Sequence, residues 1–232
     1  MTCAAQPRCS GNGSHPRRNS PGVQQDLTAI PCAHRGIRLR EVVEDDLPFL
    51  FRLFADPTRC HLWKQGRKVY DEREFHEAWI GWSSDMMGAK FLVEQRGEPI
   101  GLVFEYGQSL EDAHTKVTSL LEAGSVGSGR GAVATALLCE WLFACLPFRK
   151  IYMEVYGYNP RVAGMLRKAG LCEEGRLREN RFWNGEWWDL HIFALYRNAW
   201  PDVRDRILRP QAARADIVCH NGKEGRATVL TD

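Results

Sequence analysis

With 232 residues, 44% hydrophobic and 26% charged, and a formal net charge of +2, the chain suits one good-sized domain or two small ones, without a strong pull toward nucleic acid or an anionic membrane. No apolar run approaches the ~18–20 residues that span a bilayer, and the N-terminal stretch lacks the apolar core of a signal peptide. None of the eight cysteines (Cys3, Cys9, Cys32, Cys60, Cys139, Cys145, Cys172, Cys219) forms a C-x-x-C pair, so no zinc site is expected and the chain reads as cytoplasmic and reduced.

Residues 1–34 are rich in Pro, Ser, Gly, Asn and Arg, cannot bury enough apolar surface to offset their ordering entropy, and are expected to be a disordered arm. Ile37-Arg38-Leu39-Arg40 alternates as a half-buried strand does. Glu44-Asp45-Asp46 opens a helix whose apolar face is Leu47, Leu50, Phe51 and Phe54, ended by Asp56-Pro57. After Trp63, a second helix begins at Asp71 with Glu74 in capping-box register and Phe75, Trp79 and Trp82 on one face. These aromatics read as core, or as one wall of an acceptor pocket. Residues 91–94 and 100–106 predict a hairpin around Arg96-Gly97-Glu98, and a polar loop at 108–114 precedes the next strand, 116–122.

That strand runs into Gly127-Ser128-Gly129-Arg130-Gly131 and then an apolar helix, about 132–145, on which Glu140 is the lone charge and is expected to be largely buried. Residues 149–156 predict a strand, Asn159-Pro160 caps and starts a short helix that Gly170 stops, and Asn184-Gly185 joins a hairpin of 178–183 with 187–195. Beyond Trp200 the chain becomes charged and aperiodic, so 201–232 is expected to be a mobile tail. The prediction is a single α+β domain over 35–200, with a mixed, mostly antiparallel central sheet and helices on both faces.

Strand, glycine loop and helix N-terminus together present free backbone N–H groups and a helix dipole to a phosphate. Two ligands compete. Gly127-x-Gly129-x-x-Ala132, with Glu154 on the next strand, fits a dinucleotide fingerprint. That fingerprint belongs on the first strand of a parallel array, whereas here helices and antiparallel strands precede it and a hairpin follows. The other ligand is a pantetheine pyrophosphate.

From Gly36 to Trp200 the order of elements and the residues together resemble the GNAT superfamily of acyl-CoA-dependent N-acyltransferases. Gly36-Ile37-Arg38-Leu39-Arg40 with Glu44-Asp45-Asp46-Leu47-Pro48 is similar to the opening of the branch containing the ribosomal-protein alanine acetyltransferases. Gly129-Arg130-Gly131 and Ala136-Leu137-Leu138 resemble the acyl-CoA loop and central helix. Asn159, Lys168 and Gly170 stand at the spacing of the family's Asn…Lys-x-Gly-Phe motif, with Leu171 for the Phe, and Glu174-Gly175, Asn184-Gly185 and Asp189 match the closing hairpin.

The resemblance implies acetyl-CoA, or another acyl-CoA, as cosubstrate without a metal, and direct attack by a primary amine in a ternary complex. It implies pyrophosphate binding by Val126, Gly127, Ser128, Gly129, Arg130, Gly131 and Ala132, and a thioester carbonyl polarised by a backbone N–H of Ser119, Leu120 or Leu121. Asn159 would hold the pantetheine arm. The family's usual Tyr acid is here Leu166, its alternative Ser is Val162, and Ser128 and Val133 depart from its loop. Tyr158 and Tyr156 are the substitute acids, and Glu122, Glu105 and His114 the candidate bases. Two alternatives stay open: a longer acyl donor or acyl carrier protein, and a non-catalytic binding module of the same fold. The expected partner is an amine-bearing small molecule or a protein N-terminus, with no obligate nucleic acid and no membrane, on a monomer or homodimer.

Overall fold

The computed structural model describes residues 33–62, 71–85 and 88–208. The N-terminal arm, Trp63 and the chain beyond 208 lie outside the described residues, except that Ala33–His34 is already strand β1, paired with β2 (Ile37–Glu41). After a 3-10 turn, α1 (Leu47–Ala55) and, beyond the α1–α2 connection, α2 (Glu72–Asp85) follow. Then come β3 (Lys90–Gln95), β4 (Glu98–Ser109), β5 (His114–Leu121), α3 (Arg130–Cys145), β6 (Lys150–Tyr156), α4 (Pro160–Ala169), β7 (Cys172–Trp183), β8 (Glu186–Tyr196) and α5 (Trp200–Leu208).

Eight strands form one sheet in the order β1-β2-β3-β4-β5-β6-β8-β7, with every pairing antiparallel except β5 with β6. Period-two alternation divides consecutive residues between its faces. Leu92, Leu102, Phe104 and Leu120 pack under α1 and α2, while Val93, Val103, Val117 and Leu121 pack under α3 with Ala163, Leu166 and Ala169 of α4. The predicted capping box forms, since the Glu74 N–H donates to Asp71 Oδ1 at 2.8 Å. Both short hairpins turn where residue type dictates: Arg96 and Gly97 have φ of 56° and 88°, and Asn184 and Gly185 have 53° and 83°. Positive φ at both central residues matches the strands' own twist.

Two expectations are corrected. β7 begins six residues before the predicted 178, because Glu173, Glu174 and Arg176 hide a strand exposed at the sheet edge, where no burial pattern marks it. The expected tail after Trp200 is α5 as far as Leu208, with Trp200 and Val203 buried against α3. Glu140 is therefore not sealed in a core. Its side chain is 29% exposed and accepts from Trp200 Nε1 at 2.6 Å, with Arg204 Nη1 at 3.4 Å.

The C-terminal end of α3 is held by Arg197, whose guanidinium donates to the carbonyls of Phe143, Leu146 and Phe148. A cation on a helix's last carbonyls satisfies orphan acceptors and meets the negative end of the dipole. Arg197→Met should lower stability by about 1–2 kcal/mol, the discounted value for a part-exposed charged donor, measured by urea unfolding.

Candidate active site

β5 and β6 stay paired only at His114–Lys150, Thr115–Ile151 and Lys116–Tyr152. Beyond that they diverge, as the resemblance implied, and open a cleft of about 460 Å³ between them, α3 and α4. Val117 to Leu121 form one wall, Met153 to Tyr156 the other, and Val126, Gly127, Gly129 and Gly131 its glycine-loop end.

The Glu122 N–H donates across the sheet to Ile100 O at 2.9 Å. Strand alternation therefore turns the Leu120 amide toward β4 as well, and turns the amides of Ser119 and Leu121 into the cleft. Of the three expected carbonyl-polarising donors, Leu120 is thus removed by its orientation.

In the loop, Gly127 and Gly129 have φ of 84° and 80°, and Gly129 is the N-cap of α3. The left-handed backbone there is what glycine provides. The N–H groups of Gly127, Ser128, Gly129, Gly131 and Ala132 have no hydrogen-bond partner among the described residues, a set of donors suited to a phosphate. Val126 leaves the expected set, since its N–H is spent on Ala123 O at 3.2 Å. Ser128, where the family usually has Gln or Arg, turns its Oγ back to Ser125 O at 2.8 Å and braces the loop. Arg130 likewise lies over the loop, with Nη1 3.4 Å from Gly124 O and Ser125 Oγ. Val133 is core rather than loop.

Arg161, which sequence reasoning did not single out, reaches from α4 to Gly127 O at 3.1 Å and packs where a Cβ on Gly127 would stand. It brings a second guanidinium to the phosphate end. Asn159 lines the cleft and makes no side-chain cap bond to α4, contrary to the capping expectation, so its amide remains available to a ligand. Leu166 and Val162 also line the cleft and bring no hydroxyl.

The expected acid and bases are not gathered here. Glu105 is buried on the α3 face, accepts from Thr115 Oγ1 at 2.9 Å, and does not line the cleft; burial pushes its carboxyl up. Glu122 is exposed on the rim, where Ser125 Oγ donates to it at 3.3 Å. His114 sits at the far, paired end of β5, against Tyr152. Tyr158 gives its hydroxyl proton to His61 O at 2.5 Å and is pushed up to about 12, chiefly by burial.

The cleft wall instead carries Glu154 and Tyr156. Glu154 accepts from Lys116 Nζ at 2.6 Å and from the Tyr106 hydroxyl at 3.3 Å. Tyr156 stacks on Tyr158 at 5.2 Å, and its hydroxyl accepts from Arg181 Nη1 at 3.4 Å. Leu53, Arg59 and Leu62, from α1 and the turn after it, close this end. The signal for Glu154 lay in β6's alternation, which sets residues 152, 154 and 156 on one face.

Residues 37–171, more than half the chain, match the family model for the acetyltransferase (GNAT) domain. The chain belongs to that family. This GNAT protein is an N-acetyltransferase, with acetyl-CoA as donor and a primary amine as acceptor. It is 25% identical over 177 residues to the spermidine N(1)-acetyltransferase of Escherichia coli K12, covering 73% of this chain and 86% of that one. It is 28% identical over 158 residues to the enzyme of that name from Vibrio cholerae, covering 66% and 89%. Among solved structures it shares its fold with the V. cholerae spermidine N-acetyltransferase in complex with CoA and spermine, at a TM-score of 0.65 and 22% identity, covering 72% of this chain and 98% of that one. It also shares it with an acetyltransferase from T. thermophilus, at 0.63 and 22%, covering 75% and 93%. These curated relatives are spermidine enzymes, not the ribosomal-protein alanine acetyltransferases that the opening motif resembled.

Proposed function

We propose that this enzyme acetylates the primary amine of a small molecule that enters the cleft from the α1 side and attacks the thioester directly. The divergence of β5 from β6 carries the reading, because it joins a phosphate-binding loop to a polar, aromatic-walled acceptor end in one space. The loop amides, Arg161 and Asn159 would hold acetyl-CoA, which supplies an activated acetyl group. The Ser119 or Leu121 N–H would stabilise charge building on the carbonyl oxygen. Glu154 would take the ammonium proton, directly or through one water. Tyr156, whose hydroxyl oxygen already accepts from Arg181, keeps a proton to give to the departing sulfur.

Calorimetry with acetyl-CoA, followed by thiol release across an amine panel, tests this. Saturable binding and turnover of at least one small amine are expected. A folded protein that binds no acetyl-CoA at about millimolar ligand, far weaker than ordinary enzyme–substrate affinities, sinks it.

A second reading makes the amine a polyamine, supported by the names of the curated relatives. A protein N-terminus is the less supported acceptor, since those relatives act on a small molecule. Every residue invoked comes from one chain, so the reading is compatible with a monomer or homodimer, although one V. cholerae structure is described as dodecameric.

A further inference from the structure

The acceptor end of the cleft carries a cation that the transfer scheme does not use. Arg59 sits in the turn after α1, held by its N–H to Asp56 O at 3.2 Å and by the Leu62 N–H to its own carbonyl at 2.8 Å. Its side chain lines the cleft beside Leu53 and Leu62. Arg59 Nη1 is sealed from solvent and has no hydrogen-bond partner among the described residues. The acid nearest in sequence, Asp56, is occupied by the Thr58 N–H at 2.9 Å and the Thr58 hydroxyl at 2.6 Å. Burial pulls the guanidinium down from its ordinary value, and Asp56 only partly opposes this. A desolvated cation without a counter-ion is unfavourable until an anion arrives.

The surroundings point the same way. Arg181 lies over the Tyr156 ring, 5.1 Å from its centroid. His61, next but one to Arg59, is held below its ordinary range by burial and then by Arg181 and Arg59. In sequence, positions 57–70 hold Arg59, Lys64, Arg67 and Lys68 and no acid. Among the described lining residues the one carboxylate is Glu154, bonded to Lys116 and Tyr106. A polycation would meet net positive charge here. A molecule with an ammonium at one end and a carboxylate at the other would find Glu154 for the first and Arg59 for the second.

We propose, on the reading that this cleft transfers acetyl to an amine, that Arg59 binds a carboxylate of the acceptor, so that the acceptor is an amino acid or a similar amine carrying a carboxylate rather than a polyamine. The planar fork of a guanidinium suits that group, and a charge-assisted pair in a site that excludes water discriminates strongly against molecules lacking it.

The test compares matched acceptors under saturating acetyl-CoA: amino acids, the amines left when their carboxylate is removed, and spermidine. The wild-type protein should prefer the carboxylate-bearing member of each pair by about tenfold to a hundredfold in kcat/KM. Arg59→Gln should bring that ratio close to one, and Arg59→Lys should keep part of it. Circular dichroism and acetyl-CoA binding check that each variant is folded. A preference for spermidine, or an equal loss on both members of a pair in R59Q, overturns the proposal. So does an Arg59-dependent preference for succinyl-CoA over acetyl-CoA, which would place the carboxylate on the donor. Absence of acetyl-CoA binding in the wild type would sink the transfer reading itself, a result distinct from turnover that ignores the carboxylate.

Discussion

Replacing Glu154 with Gln should lower kcat by about a hundredfold or more, the range for loss of a positioned general base, while acetyl-CoA binds as before. The substitution keeps size and shape on the cleft wall and removes the one carboxylate among the described lining residues. Lys116 loses its counter-ion, so KM for the acceptor will also move. The decisive readout is therefore the pH profile. In the wild type, kcat/KM rises along an acid limb as the base deprotonates; in E154Q that limb should flatten, and raising pH should recover rate by deprotonating the free amine instead. Activity within about threefold of wild type, far less than a missing base costs, together with an unchanged acid limb, would remove Glu154 from the mechanism.

Asp46→Asn should have the largest effect on stability, about 3 kcal/mol, the usual cost of breaking a buried ion pair from one side. Asp46 is 6% exposed and receives both Arg40 Nη1 and Nη2, at 2.6 and 2.7 Å, and the Val43 N–H at 2.8 Å. Arg40 also reaches Glu94 Oε1 at 2.6 Å, so one guanidinium ties β2 to β3 and to the turn that starts α1. The Arg40 hydrogen bonds, helped by the Val43 N–H and opposed by burial, hold the Asp46 carboxyl below its ordinary value. A carboxyl lowered in the folded state contributes fully above its unfolded pKa of about 4 and loses that contribution as pH falls through the folded value. The gap in unfolding free energy between wild type and D46N should therefore be widest near neutrality and shrink on acidification. A gap that is constant from neutral pH to about pH 3, below the unfolded value, would show that shape rather than charge is responsible.

Much of the fold was legible because its signals are local. The period of 37–40, the Asp71–Glu74 pair, Asn184-Gly185 and the Gly127–Gly131 cluster each name a conformation that few other residues accept. β7 and α5 were hidden for opposite reasons. β7 is an edge with little to bury and so carries no pattern. α5 has only Trp200, Val203 and a few neighbours facing α3, too few to outweigh its charges. In the site, the cofactor end was readable because glycine and backbone do the work in one continuous segment. The acceptor end is assembled from α1, the turn after it, β5, β6 and β7. No spacing in the chain announces that Arg59, Lys116, Glu154, Tyr156 and Arg181 meet. Glu105 and Glu122 were reasonable as strand-end carboxylates, yet the alternation of β4 sends the first to the wrong face and the rim keeps the second in water.

The three residue pairs between β5 and β6 have a mechanical consequence. The sheet behaves as two plates, β1–β5 and β6–β8, joined by a short seam at one corner and bridged by α3 and α4. The gape between the plates is set at that seam, at Thr115 and Ile151, which touch neither the glycine loop nor the acceptor end. Both are fully buried, so the pivot is the stiffest point while the far ends of both strands have only a ligand to join them. Side-chain volume at the pivot is thus a lever on the fit of both substrates at once.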